Sequence, residues 1–454
     1  MKCIINADAK VELLLGKQEV DKTNTYRPIT YLVFTDEGNT TLVSNTLTGE
    51  LVEVDEVELS VLKGERSAFD ADATNLIEKW YLVPQDNDDY SLCEEIRSFI
   101  MMVDKADQRK YNSYLIFTTT DCNARCFYCY QMGRIKSRVP MSDETAIKAA
   151  DFIIAHATPE TTVGIKWYGG EPLYNERAID LICARLRENN VKFISDMISN
   201  AYLFTDENIA KAQSDWNLKC IQIALDGTEE VYNKCKAYIY KDDPSPYRRV
   251  LDNMEKLLRA GFKINVRVNM DNHNVDDVYN LADELFERFG KYPQFRLYCA
   301  GLYENAGPNN PKRNSESRMQ LTENLIAFDL YCEKRGISIS RKYKTRFKTN
   351  RCMADSNTVL TISPTGMLGL CDHVTETDIV GTLDSGVVND ELAKDWRVRL
   401  NNRDTCEACP VFPICIRLKN CLDDGASVCD DAYKKMKYHD RQMTMKRAYR
   451  ESKQ

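Results

Sequence analysis

Residues 118–133, "TTTDCNARCFYCYQMG", carry three cysteines, Cys122, Cys126 and Cys129, in the spacing C-x3-C-x2-C. Structural zinc sites and most iron–sulfur cubanes are held by four protein ligands. Three close thiols with no adjacent fourth imply a metal centre with one position left for a ligand that is not protein. The run just before them, "SYLIFTTT", is apolar and reads as a strand. Further runs of this kind follow, "TTVGIKWYGG", "KFISDMISN", "LKCIQIALDG", "FKINVRVNM" and "PQFRLYCAG", with helical patterns between them. Ser142, followed by Asp143 and Glu144, caps one of these helices and places acids where the helix dipole favours them. Such alternation predicts an α/β fold, a parallel sheet with helices outside. Six units rather than eight make it a partial (β/α)6 TIM-like barrel. Reacting groups in such folds sit at the C-terminal strand ends, which is where the triplet falls.

The rest of the composition narrows the setting. A chain of 454 residues exceeds one ordinary core, and its 43% hydrophobic and 29% charged residues fit a globular protein of several domains. The net charge of -8 gives no basis for nucleic-acid binding, and the locally basic end, "KKMKYHDRQMTMKRAYRESKQ", is expected to be a solvated C-terminal helix or tail. No apolar run approaches a membrane span and the first residues lack a secretory pattern, so a cytoplasmic protein without a membrane partner is expected. Seventeen cysteines are present, and Cys352, Cys371, Cys406, Cys409, Cys415, Cys421 and Cys429 bunch towards the end. Without an export signal, such bunching points to metal rather than disulfides. The scattered Cys3, Cys93, Cys183, Cys220, Cys235, Cys299 and Cys332 read as ordinary small residues, most of them buried.

Four segments are expected: 1–105, 106–335, 336–435 and 436–454. The first shows a hairpin pattern across residues 36–39, a short helix near 56–63 and a longer one at about 91–106, after the acidic "VPQDNDDYSL". It fits a small α+β, winged-helix-like module. The second is the partial barrel, the third the cysteine-rich region, and the fourth the basic helix or tail.

A strand leading into C-x3-C-x-aromatic-C, with Tyr128 as the aromatic residue, resembles the radical SAM superfamily. The resemblance implies that Cys122, Cys126 and Cys129 hold a [4Fe–4S] cluster whose fourth iron is chelated by S-adenosylmethionine (SAM). An external donor supplies one electron, and the resulting 5′-deoxyadenosyl radical takes hydrogen from a substrate carbon. "WYGGEP", at 167–172, is similar to the family's Gly-Gly-Glu motif, which nominates Gly169, Gly170 and Glu171 for SAM. "ISNAYLF" resembles the Thr-Asn-Gly motif through Ser199 and Asn200, with Ala201 in place of glycine. "IALDGTEEVYNKCK" resembles the Ser-Leu-Asp-Gly segment and its downstream His-Asp-x-x-Arg. Asp226 and Gly227 match, Ala224 replaces the serine assigned to the ribose, and Tyr232 and Lys236 replace histidine and arginine. Lys236 is then a point charge for the SAM carboxylate rather than a fork. Tyr128 and Asn269 complete the set of expected SAM contacts.

The later cysteines, Cys352, Cys371 and Cys406-x2-Cys409-x5-Cys415-x5-Cys421-x7-Cys429, resemble the seven-cysteine SPASM extension, with five residues where three are usual before Cys421. The resemblance implies two auxiliary [4Fe–4S] clusters, three clusters in all. By order, Cys352, Cys371 and Cys421 fall to auxiliary cluster I, and Cys406, Cys409, Cys415 and Cys429 to auxiliary cluster II. The fourth ligand of the first stays open between Cys332 and an exposed iron. A zinc ribbon is the plain alternative for these thiols. Asp372, in "GLCDHV", stands where the anaerobic sulfatase-maturating relatives carry a base, and His373 beside it has no identifiable partner.

SPASM-containing enzymes mostly modify peptides. The first segment resembles the precursor-recognition domains of peptide maturases, which bind a leader as an added strand. The expected function is therefore post-translational modification of a ribosomally made precursor peptide by an intramolecular crosslink, thioether favoured. Alternatives are a formylglycine-type protein maturase, or a non-enzymatic iron–sulfur carrier or zinc-stabilised peptide-binding protein.

Overall fold

A computed structural model describes residues 1–106, 111–129, 131, 137–302, 315–337, 347–356, 358–372, 379–421 and 429–453. The chain forms two compact units. One joins Met1–Gln108, Arg341–Arg351 and Val398–Gln454, the other Arg109–Ser340 and Cys352–Arg397. The cysteine-rich segment expected at 336–435 is thus shared between the units and is not a separate body.

The first unit begins with β1 (Lys2–Ile5), α1 (Ala9–Leu15), β2 (Tyr26–Pro28), β3 (Leu32–Glu37), β4 (Thr40–Asn45), β5 (Leu51–Val54), α2 (Glu56–Leu62), α3 (Asn75–Glu78), β6 (Leu82–Pro84) and α4 (Asp89–Ala106). Antiparallel pairing builds a sheet in the order β1-β5-β4-β3 and a separate β2-β6 ribbon. Gly38, at φ 59°, makes the tight turn between β3 and β4. Asp55 and Glu58 close a capping box at the start of α2.

The second unit runs β7 (Ser113–Thr119), α5 (Asp143–His156), β8 (Val163–Gly169), α6 (Glu176–Glu188), β9 (Phe193–Ser199), α7 (Asp206–Ser214), β10 (Leu218–Leu225), α8 (Glu229–Lys236), α9 (Pro246–Arg259), β11 (Lys263–Met270), α10 (Val275–Phe289), β12 (Phe295–Gly301) and α11 (Ser315–Lys334). Strands β7 to β12 lie side by side in chain order, each parallel to the next. The sheet does not stop there. β13 (Val359–Ile362) adds parallel to β7, and β14 (Met367–Gly369), β15 (Ile379–Thr382) and β16 (Gly386–Val387) continue it antiparallel, before α12 (Asp390–Trp396). Along β11, Ile264, Val266, Val268 and Met270 are fully buried, which leaves Asn265, Arg267 and Asn269 on the opposite face.

The chain returns to the first unit with α13 (Arg403–Cys406) and α14 (Asp431–Ser452). The expected C-terminal helix forms, but one face of it is buried and not solvated. Met445 and Ala448 of α14 share a buried cluster with Val33, Leu42 and Leu51 of the antiparallel sheet. Arg441 donates to Ser44 Oγ from Nε at 3.0 Å and from Nη2 at 2.7 Å. On edge strand β3, the Phe34 N–H donates to Tyr438 Oη at 3.1 Å, and the Phe34 carbonyl accepts from Gln442 Nε2 at 2.8 Å. Tyr438, Gln442, Met445 and Tyr449 stand on one helical face, which the surrounding lysines and arginines obscure in the sequence. Among the described residues, no helix is long and apolar enough to cross a membrane.

Candidate active site

The cysteine loop leaves the C-terminal end of β7 and is clamped by the end of β8. Gly170 N–H donates to Thr119 O and Glu171 N–H to Asp121 O, both at 3.0 Å. A Cβ on Gly169, whose φ is +143°, would lie 2.3 Å from Thr119 O, and one on Gly170 would lie 2.1 Å from Asp121 O. Both glycines are therefore required by the cysteine loop itself, whatever ligand approaches them.

Glu171 is fully buried and ties the next two strand ends together. Its carboxylate accepts from Leu173 N at 3.2 Å, Ser199 Oγ at 2.8 Å and Asn200 N at 2.7 Å. Burial pushes this carboxyl up to about 7, and the donors only partly oppose it. Asn200 Nδ2 in turn donates to Asn123 Oδ1 at 2.7 Å, inside the cysteine loop. Ala201 follows at φ 61°, a left-handed conformation that explains the glycine of the resembling motif.

A second group forms around Lys236. Its Nζ lies 3.1 Å from Asp226 Oδ2, donates to Tyr128 Oη at 2.7 Å, and stands 5.4 and 5.6 Å from the rings of Tyr128 and Tyr232. Asn269 Nδ2 donates to Asp226 Oδ1 at 2.8 Å and to Tyr128 Oη at 3.3 Å. Burial works against the Lys236 charge, but Asp226 first, then Tyr128 and Cys126, hold its pKa well above the usual lysine value. The result is a fixed cation in a dry site, joined to the cysteine loop where Arg125 N–H donates to Lys236 O at 2.8 Å. Gly227 is dictated by packing too: a Cβ there would lie 2.0 Å from Asp277 Oδ2, the oxygen that accepts from Thr228 N.

Cys122, Cys126 and Cys129 are half-buried and free of disulfides. Burial pushes the Cys122 thiol up to about 12 and raises Cys126, so thiolates in this loop need a compensating cation. Asn123 Nδ2 is buried there without a hydrogen-bond partner among the described residues. A thiol triplet of this kind, in one turn beside a fixed cation, fits a cluster bound to a carboxylate-bearing cosubstrate.

The later cysteines divide. Cys406, Cys409, Cys415 and Cys429 line one pocket of the first unit with Phe412 and Tyr433. The Cys415 sulfur is 3.7 Å from Tyr433 Oη, and burial pushes the Cys409 thiol up to about 11. Cys421 belongs to the same unit, whereas Cys352 and Cys371 belong to the other. Cys371 Sγ is 3.4 Å from Asp372 Oδ1. Gly369 pairs with Thr361 and Thr361 with Leu115, so the chain carries Cys371 and Asp372 towards the start of β7. Thr361 Oγ1 donates to Cys371 O at 3.1 Å, which sets Cys371 near the level of Leu115, whereas the cysteine triplet leaves the far end of β7. Cys332 is fully buried in α11, and His373 lies outside the described residues. Among the described residues, no three Cys, His, Asp or Glu side chains form a group that could hold one metal ion.

Sequence reading passed over Asn123, Asp277 and Arg267, whose Nε donates to Asn269 Oδ1 at 3.0 Å. Strand parity alone could have placed Arg267 on the face of Asn269. Asn123 and Asp277 act through partners distant in sequence, which no local pattern reveals.

Residues 116–285 match the Radical SAM superfamily. A probable GTP 3′,8-cyclase of Methanococcus maripaludis is 28% identical over 129 residues, which is 28% of this chain and 40% of that protein. The chain thus spans less than half the length of this curated relative. The fold resembles native anSMEcpe with bound AdoMet, with a TM-score of 0.55 and 18% identity over 75% of this chain and 99% of that one. It also resembles SuiB of Streptococcus suis bound to S-adenosylmethionine, with a TM-score of 0.50 and 15% identity over 86% of this chain and 94% of that one. The second unit therefore carries a Radical SAM superfamily domain.

Proposed function

We propose that the chain is a radical SAM enzyme that modifies a ribosomally made precursor peptide and closes an intramolecular crosslink, a thioether in the first instance. The observation that carries the proposal is the thiol triplet at the end of the first parallel strand, hydrogen-bonded to the segment that presents Lys236. Cys122, Cys126 and Cys129 would hold the SAM cluster. When bound, the cluster and SAM supply one-electron chemistry that removes a hydrogen atom from an unactivated carbon. Lys236 keeps a desolvated positive charge for the methionyl carboxylate, and Asp226 and Asn269 hold it and Tyr128 in place. Glu171, Ser199 and Asn200 lock the strand ends above the loop, and Gly169 and Gly170 let them close. Ala224 offers no hydroxyl to the ribose, so its recognition falls to other groups.

The four thiols around one pocket support auxiliary cluster II on Cys406, Cys409, Cys415 and Cys429. A second auxiliary cluster would be a sink for the electron left after ring closure. A peptide substrate draws support from the similar structure of anSMEcpe with bound AdoMet and Cp18Cys peptide, at 18% identity and a TM-score of 0.55. A leader strand would add at β1, because the Phe34 groups of the other sheet edge are engaged by Tyr438 and Gln442. A second reading, oxidation of one residue to formylglycine, would take Asp372 as base, although the chain carries it away from the triplet end of β7. The proposal includes a cytoplasmic location and an external electron donor.

The test is anaerobic reconstitution followed by analysis. Three cubanes require roughly twelve irons with matching sulfide. Incubation with SAM, a reductant and a cysteine-containing precursor peptide should yield a product two hydrogens lighter with no free thiol. An aldehyde product would select the second reading, and intact SAM would contradict both.

A further inference from the structure

The inner face of the parallel sheet carries positive charge that the site at its end does not use. Register shows how that charge is arranged. Lys166 pairs with Asp196, and Lys263 stands one strand beyond, across Cys220, so this row contains its own carboxylate. In the next row Arg296 pairs with Asn265, and in the row above it Arg267 lies between Ala224 and Tyr298. Asn269 and Asp226 follow immediately, at the level of Lys236 and Tyr128.

Arg267 and Arg296 are both half-buried, on neighbouring strands and one row apart. Among the described residues neither has a carboxylate partner; the Arg267 Nε donates to Asn269 Oδ1, and its two terminal nitrogens have none. The adjacent polar groups are already engaged with one another: Tyr298 Oη donates to Gln222 Oε1 at 3.0 Å and Asn265 Nδ2 to Cys220 Sγ at 3.1 Å. Ala224, beside Arg267, contributes only a methyl group. Two half-buried guanidiniums with no carboxylate partner among the described residues are stabilised when an anion joins them, and the guanidinium fork matches a carboxylate with two parallel hydrogen bonds.

We infer that Arg267 and Arg296 form a recognition site for a substrate carboxylate, so that the peptide segment drawn to the reacting centre carries an acidic side chain. This rests on the radical SAM peptide-modifying reading. The chemistry recognised is a carboxylate, and SAM has one too. Lys236 already supplies a cation at the level of the cysteine loop, which leaves the two arginines for the substrate.

The experiment uses the full chain, reconstituted without oxygen, with two synthetic peptide pools of random sequence that differ only in a central Glu or Gln. SAM affinity is measured beside them. Wild-type protein should retain the Glu pool about tenfold better than the Gln pool, with the preference falling as salt rises. In R267Q/R296Q the two pools should bind alike, and R296Q alone, which leaves the Arg267–Asn269 bond in place, should lose most of the preference with SAM affinity within about twofold, which also reports an intact fold. R267K/R296K should restore part of the preference. Equal retention of both pools by wild type overturns the inference. So does a loss of SAM affinity in R267Q/R296Q with the pool preference unchanged, which would assign the arginines to the cosubstrate. Wild type that binds no SAM but still selects the Glu pool through these arginines would end the enzyme reading and leave the carboxylate site standing.

Discussion

The two thiol sets in this chain are built in opposite ways. Cys122, Cys126 and Cys129 hang from the end of a strand inside a ten-stranded sheet, and the backbones of Gly170 and Glu171 bind their loop directly. Cys406, Cys409, Cys415 and Cys429 sit in a segment whose regular structure, among the described residues, is a single turn of α13 and a short 3-10 turn at Phe412–Ile414. That segment takes its shape from outside. Arg97 of α4 is fully buried, donates to Phe412 O at 3.1 Å and Pro413 O at 3.2 Å, and places its guanidinium 4.7 Å from the Phe412 ring. Where a scaffold surrounds the ligands, the metal adds chemistry. Where the scaffold is thin, the metal is also part of the fold.

Changes at the first set test this contrast most severely. Replacing Cys122, Cys126 and Cys129 together by alanine should lower SAM cleavage by at least about 10³-fold. The second unit should keep its thermal transition, because the strand hydrogen bonds do not depend on the thiols. A collapse of that transition would break the comparison, since it would make the first set structural too.

The tether of the second set comes next. Arg97→Ala leaves two buried carbonyls without their donor, while Glu94 keeps Arg399 at 3.4 Å, and should cost the first unit about 2–4 kcal/mol in denaturant unfolding. Iron bound by the later cysteines should be lost with it. Iron analysis of R97A that matches wild type would show that the segment folds without α4.

Glu171 sharpens the account of the first set through pH. Its folded pKa, about 7, lies above the ordinary carboxyl value, so the neutral form is the one the fold favours. Stability from this group is complete below about pH 4.5 and is lost as pH rises through about 7, to roughly 3 kcal/mol in total. Glu171→Gln should remove that loss between pH 5 and 8, read by urea unfolding of the second unit. Parallel pH profiles for wild type and E171Q would contradict the burial argument. The smallest effect belongs to Ala201, held at φ 61°. Ala201→Gly should stabilise the second unit by about 1 kcal/mol, and a loss of stability would show that the methyl packs better than its backbone is strained.

Much of the second unit was legible because each strand is an apolar run of its own, bounded by a helix. Strands β13 and β14 were not, since "TVLTISPTGMLGL" lies among cysteines and its strands are short, formed by pairing with β7 and with each other. The C-terminal helix misled for a different reason. Its packed face mixes Met445 and Ala448, which join a buried cluster, with Tyr438 and Gln442, which bond a strand edge, and such a face has no clear hydrophobic period. At the site, the cysteine triplet and the Glu171, Ser199 and Asn200 motifs could be read because each is local. The contacts that lock them, Asn123 to Asn200 and Lys236 to Tyr128, span 77 and 108 residues and appear only on folding.

The most direct measurement is formation of 5′-deoxyadenosine by the reconstituted protein given SAM and a low-potential reductant, without oxygen. Wild type should form it, the C122A/C126A/C129A variant should not, and a variant lacking Cys406 and Cys409 should retain it at least in part. Wild type with a full complement of iron that leaves SAM intact, or equal turnover by the triple variant, would contradict the account.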